Sequence, residues 1–189
     1  MIREIATSVR LLVATLIVSC VVYPLAILGF AVVAAPNKRL GSLVEGADGL
    51  PVGSRLVAQG FSRPEYFWPR PSACGYDASA AGGSNLSPTS PLLRDRAEEI
   101  ISRLDLPEGT EIPAELVASS GSGLDPHISL AGALVQVPRV ASKRGIRENE
   151  LKQFVEQQAR LNAPPVVGGE RLLPVLLLNL AIDEAHTMP

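Results

Sequence analysis

The stretch LLVATLIVSCVVYPLAILGFAVVAA, Leu11 to Ala35, runs for 25 residues without a charge and directly follows Arg10. As an α-helix rising about 1.5 Å per residue it reaches roughly 37 Å, against roughly 30 Å for the hydrocarbon core of a bilayer. It is long enough to span. Pro24 and Gly29 fit that reading, because membrane helices admit both more readily than soluble helices do. A cleavable signal peptide has a shorter apolar region that ends at a small-residue cleavage site. The segment IVSC, Ile17 to Cys20, is similar to the end of a lipoprotein signal, yet apolar or weakly polar sequence continues to Ala35 where a mature lipoprotein would begin with a polar linker. The stretch therefore reads as a retained transmembrane helix. It carries no Asp, Glu, Lys, Arg or His, so it provides no ion pathway by itself.

This helix divides the chain into a short N-terminal flank (1–10), the span (11–35), a juxtamembrane linker (36–54) and one domain (55–189). Without Arg3, Arg10 and Glu4, the chain holds 15 basic and 18 acidic residues, a net charge of −3. That balance is no nucleic-acid surface. The remainder is long enough for one domain with its own core. Cys74 is its only thiol, so the domain has no internal disulfide. Arg3 and Arg10 before the helix balance Lys38 and Arg39 after it, which leaves orientation a near tie by positive charge. The short N-terminal flank favours a C-terminal domain outside the cytoplasm.

Within the domain the pattern predicts an α+β, mixed fold. RLVAQ (Arg55 to Gln59) and YFWP (Tyr66 to Pro69) read as short extended segments able to pair as a hairpin, and Tyr66, Phe67 and Trp68 as core anchors. Residues 71–91, dense in Gly, Ser and Pro, read as a long loop. Ser90 followed by Pro91 marks a helix start, with Leu93, Ala97, Ile100, Ile101 and Leu104 on one stripe. PAELVASS offers one or two helical turns. Asp125 followed by Pro126 repeats the cap-then-proline arrangement, and the helix expected there should kink or divide at Pro138 and stop at Gly145. RENELKQFVEQQARL is amphipathic. LLPVLLLNLAIDEA is a buried helix or strand, and periodicity does not decide between them.

The stretch SSGSGLDPHIS, Ser119 to Ser129, gathers four serines, an aspartate and a histidine, the residue types of a hydrolytic site. A serine hydrolase would use Ser119, Ser120 or Ser122 as nucleophile, with His127 as base and Asp125 or Asp77 as orienter. The nucleophile-elbow pattern is missing, because Ser120 stands where that motif needs glycine. Asp125 has a local explanation as a helix cap, which would put His127 in a first turn and disfavour its charged form. No Cys/His pair has metal-ligand spacing. AAGGSNLSPTSP, Ala80 to Pro91, has the glycines of a phosphate cradle but no GxxxxGK[ST].

Taken in order, GSL, VGSRLVAQGF, YFWPRPSA, GGSNLSPTSP, SSGSGLDPHIS, QVPRVASKRG and VLLLNLAIDE resemble, over essentially the whole chain, the C subunit of the Kdp-type potassium-transporting P-type ATPase. The resemblance implies a non-catalytic, single-pass subunit of the bacterial inner membrane. Its N-terminus would be cytoplasmic and its domain extracytoplasmic. The implied partners are a potassium-selective channel-like subunit, a P-type ATP-hydrolysing subunit and membrane lipid. It further implies a catalytic chaperone that raises the ATP affinity of the hydrolysing subunit, with no cofactor of its own. ATP is hydrolysed on the cytoplasmic side, so a domain outside acts on nucleotide affinity only by biasing a shared conformation. Ser84, Asn85, Ser122, Asp125 and His127 are carried over as structural or subunit-contact loop residues. Two other readings stay open here: an envelope hydrolase using Ser122 and His127, and a cytoplasmic nucleotide-binding regulator.

Overall fold

The structure is a computed structural model that describes residues 2–46, 48–107, 109–162 and 171–186. The chain forms two compact units, which divide between Leu43 and Val44.

The first unit is built on one continuous helix, Ile2–Ala34. Helix α1 (Ile2–Ile17) passes through a π turn (Val18–Val22) into α2 (Tyr23–Ala34). The Tyr23 amide donates to the Val18 carbonyl, five residues back. Pro24 supplies no N–H and its ring crowds the preceding turn, and the widened turn makes room for it without breaking the helix. The hydroxyls of Thr7 and Thr15 donate to the carbonyls of Arg3 and Leu11, so neither points a bare polar group outward. No residue of this helix is buried within the fold. At 33 residues it is about 50 Å long, which exceeds the hydrocarbon thickness, and its composition suits a bilayer. The helix thus starts nine residues before the charge-free run and takes in the expected flank.

The second unit begins earlier than the expected domain boundary. Strands β1 (Leu43–Glu45) and β2 (Pro51–Ser54) pair, so most of the stretch read as linker is ordered as a hairpin. Strand pairing between Arg55–Gln59 and Tyr66–Pro69 is not found. Ser54 Oγ accepts from the Leu56 amide and turns the chain, while the Ala58 amide donates to the carbonyl of Leu124.

Helix α3 (Pro91–Leu104) starts where Ser90 and Pro91 predict, although the Ser90 side chain makes no capping bond. Proline at the first turn removes one orphan donor anyway. A 3-10 turn, Ala114–Leu116, follows. The next helix corrects the sequence reading. Residues His127–Ser129 form strand β3, and α4 (Leu130–Arg144) starts only after it, with Ser129 Oγ accepting from the Gly132 amide at 2.9 Å. Pro138 neither divides nor ends α4. Gly145, at φ 66°, ends it, and the Ile146 amide returns to the Ala141 carbonyl in a left-handed cap.

Helix α5 (Glu148–Asn162) places Leu151, Val155 and Ala159 on one stripe, each fully buried. The C-terminal apolar run resolves into both of its possibilities: strand β4 (Leu172–Pro174), then α6 (Val175–Ala185). β4 runs antiparallel to β3, with Ile128 opposite Leu173. Two strands alone are marginal in water. Here both central residues are fully buried and join the side chains of α4, α5 and α6 in one core around Phe67. Each such aliphatic or aromatic side chain contributes roughly 1.5–3 kcal/mol.

After a turn at Pro64 and Glu65, closed by the Tyr66 amide donating to the Arg63 carbonyl, the segment up to Trp68 takes its other partners from side chains. Asn179 of α6 accepts from the Phe67 amide (2.8 Å) and donates to the Phe67 carbonyl (2.9 Å). Gln136 of α4 does the same for Trp68, at 2.8 and 3.1 Å. Arg139 donates to the carbonyls of Pro64 and Tyr66, and Arg144 to that of Glu65. A buried backbone group left unpaired costs about 1–3 kcal/mol, so four polar side chains on two helices are what let this segment lie against the core.

Candidate functional site

The segments singled out in the sequence meet in the second unit. Loop 70–85 and loop 119–127 lie against each other through backbone bonds: the Ser120 amide donates to the Pro71 carbonyl and the Gly82 amide to the Ser122 carbonyl, at 3.1 and 2.7 Å. This contact requires glycine. A Cβ at Gly123, which sits at φ 71°, would fall 2.6 Å from Cys74 Sγ and 2.7 Å from the Gly82 carbonyl oxygen. A Cβ at Gly83 would stand 2.9 Å from the Gly121 carbonyl oxygen. The glycines thus permit two backbones to touch.

Asp125 is the hub of the charged groups. Its Oδ2 accepts from Arg70 Nη1 at 2.9 Å, and its Oδ1 accepts from the His127 amide at 3.1 Å, with His127 Nδ1 3.4 Å away. Asp125 is therefore no helix cap. It closes a turn two residues long and hands the chain to β3, and the expected helix-dipole effect on His127 has no helix to act from. The Val175 amide bonds to the Pro126 carbonyl, which extends the β3–β4 ladder past the proline.

For nucleophilic catalysis, the aspartate and histidine are together but no serine joins them. Ser122 Oγ accepts from the Leu124 amide and Ser120 Oγ from the Asp125 amide, so both hydroxyls serve the turn. Among the described residues no hydrogen bond links His127 to a serine, and Asp77 holds Ser79 instead. That bond from Ser79 lowers the Asp77 pKa. Ser84 is half-buried beside the contact, and Asn85 is exposed in a left-handed conformation at φ 50°. Among the described residues no group of three or more His, Cys, Asp or Glu is arranged to hold a metal ion.

Cys74 was not among the sequence-derived site residues. Its sulfur lies 3.3 Å from Ser72 Oγ, which also accepts from the Tyr76 amide. The Ser72 hydroxyl draws the thiol pKa below its ordinary value, with backbone amides adding to the effect. Tyr76 Oη donates to the Arg70 carbonyl, and burial raises its pKa. A single cysteine gives no spacing signal, so only the fold reveals this neighbourhood.

The geometry describes a closely packed joint between loops. Residues 5–184 match the family model described as KdpC: K+-transporting ATPase, c chain. A protein of Parvibaculum lavamentivorans named potassium-transporting ATPase KdpC subunit is 45% identical over 181 residues, covering 95% of this chain and 96% of its own. Proteins of the same name from Koribacter versatilis and Caulobacter vibrioides are 44% and 46% identical. They cover 99% and 87% of this chain, and 97% and 84% of their own lengths.

Proposed function

Because this chain belongs to the KdpC family, we propose that it is an accessory, non-catalytic subunit of a high-affinity ATP-driven potassium uptake complex. The observation that carries this reading is that the match covers the apolar helix and the second unit together, so both parts belong to one inherited design.

Helix Ile2–Ala34 anchors the chain in the bacterial inner membrane among helices of its partners, a potassium-selective channel-like subunit and a P-type ATP-hydrolysing subunit. The N-terminus is cytoplasmic. The α+β unit lies outside, over the potassium entrance, and stabilises the assembly. Ser84, Asn85, Ser122, Asp125 and His127 belong to the joined loops that offer a contact surface. The exposure of Asn85 and Ser122 supports that role. A domain outside the membrane raises the ATP affinity of its partner by favouring one conformation of the complex, with no direct hold on the nucleotide. The mildly acidic domain adds a small, salt-sensitive attraction for cations.

Topology tests this first. With Cys20 replaced by serine, Cys74 is labelled with a membrane-impermeant thiol reagent in sealed, right-side-out membranes, and opened membranes give the accessible total. Labelling in sealed membranes is expected. Labelling only after opening would put the unit in the cytoplasm and overturn the indirect route to ATP. Removing the subunit is expected to raise the ATP concentration that the complex needs for half-maximal hydrolysis, and an unchanged value would remove the chaperone role.

A further inference from the structure

Beside the loop joint, whose Pro71, Ser72 and Tyr76 form part of its wall, a cavity of about 250 Å³ opens between α3 and the segment around Trp68. Its walls are unlike in character. One part is apolar, with Trp68, Leu104 and Leu116, and another carries Arg96 and Arg103 of α3. The Trp68 indole is pinned by its own Nε1, which donates to the Arg63 carbonyl, and by the Gln136 amide on its backbone. Guanidinium groups flank the ring: Arg139 lies 3.9 Å from its centroid and Arg103 5.3 Å. Burial lowers the Arg139 pKa to about 10, which still leaves it charged at neutral pH.

The positive charge around this cavity is poorly answered. Among the described residues neither Arg96 nor Arg103 is in an ion pair, and the lining holds one acidic residue, Glu99. A concave low-dielectric wall concentrates the field of the cations around it. The group that answers this field is an acceptor with negative charge. The volume suits a compact ligand smaller than most drug-sized molecules, and the apolar wall suits a hydrocarbon or aromatic body.

We propose that this cavity binds a small organic carboxylate: its oxygens accept from Arg96 and Arg103, and its apolar body lies against Trp68, Leu104 and Leu116. The carboxylate is either that of a free small molecule or that of an acidic side chain of a partner subunit. The same two arginines recognise both.

Trp68 is the chain's one tryptophan, so its fluorescence reports on the cavity directly. The full chain in detergent micelles is titrated at constant ionic strength with 4-fluorobenzoate and with the neutral isostere 4-fluorobenzamide. A saturable change with the benzoate is expected, at least about tenfold tighter than with the benzamide. Arg96→Leu is expected to weaken the benzoate at least about tenfold and leave the benzamide unchanged. Equal affinities for the two compounds, or no saturable change with either, would overturn the proposal, and that comparison needs no variant. Arg96→Gln replaces Arg96→Leu if near-ultraviolet dichroism shows a folding defect. Fluorine resonances of the benzoate in the assembled complex separate the sources: binding retained there means a free molecule, and binding seen only in the isolated chain means a partner's carboxylate.

Discussion

In helix Ile2–Ala34 the backbone finds its partners inside the helix itself, whereas Pro64–Trp68 finds most of its partners on the side chains of two other elements. The helix can be recognised from a local run of residues, since each amide pairs four or five positions back. The extended segment depends on groups 68 to 112 positions away, Gln136 and Asn179 among them. Both arrangements answer the same demand, that a backbone removed from water be paired. They differ in how many residues must be right at once. A helix tolerates Pro24 by widening one turn. The core segment has no equivalent slack, because the donor and acceptor of Phe67 and of Trp68 each have one assigned side chain.

The largest expected effect follows from this contrast. Asn179→Leu keeps the side-chain size but leaves the Phe67 amide and carbonyl unpaired in the core, and should destabilise the second unit by about 4 kcal/mol. Denaturant unfolding of the full chain, followed by Trp68 fluorescence, measures it. A loss below about 1 kcal/mol would mean that another group takes over and that the contrast is overstated.

Leu151→Ala empties a fully buried position on α5 and should cost about 3 kcal/mol in the same experiment. Gly123→Ala should cost about 2 kcal/mol, because the new Cβ meets Cys74 Sγ and the Gly82 carbonyl at a left-handed backbone position. It should also speed alkylation of Cys74 by prising the loops apart, an effect that core destabilisation alone does not give below the unfolding transition.

Acid acts on the same segment. The pKa of Glu65 is lowered, first by its own backbone amide and also by Arg63 and Arg144. A carboxylate with a folded pKa below its unfolded value contributes stability above the unfolded value and loses it as pH falls through the folded one. The unfolding midpoint should therefore fall below about pH 4.5, near the ordinary glutamate value, and Glu65→Gln should flatten that acid limb. An unchanged slope in the variant assigns the acid sensitivity elsewhere. The smallest effect is expected from Leu25→Ala, in the exposed face of α2: less than about 0.5 kcal/mol on unfolding of the second unit. A larger effect would show that the two units are coupled, and the contrast would need to be redrawn.

Much of the fold is legible in the chain because it is local. The Ser90–Pro91 start of α3, the Gly145 end of α4 and the buried stripe of α5 each follow from residues within a few turns of one another. The misreadings share a different cause. Asp125–Pro126 has the composition of a helix start, but β4 offers a ladder to residues 127–129, so the helix is delayed to Leu130 and Ser129 becomes its cap. YFWP has the aromatic content of a strand and is extended, yet its hydrogen bonds go to side chains. Of the site residues, Ser122, Asp125 and His127 are neighbours in the chain, so their grouping is legible. The approach of Gly82–Asn85 to them is not, since it depends on two loops closing around Gly123 and Cys74.

By itself the sequence determined the membrane helix, because an uncharged run longer than the bilayer is thick has one favourable environment whatever surrounds it. It also determined the family, whose motifs are spread over the whole length of the chain. Only the tertiary structure decided that the C-terminal apolar run is a strand and then a helix, that Asp125 serves a turn, and that Trp68 has two guanidinium groups over its ring beside a cavity. Those outcomes depend on which distant side chain or strand arrives to complete a hydrogen bond, and no local pattern of residues encodes an arrival.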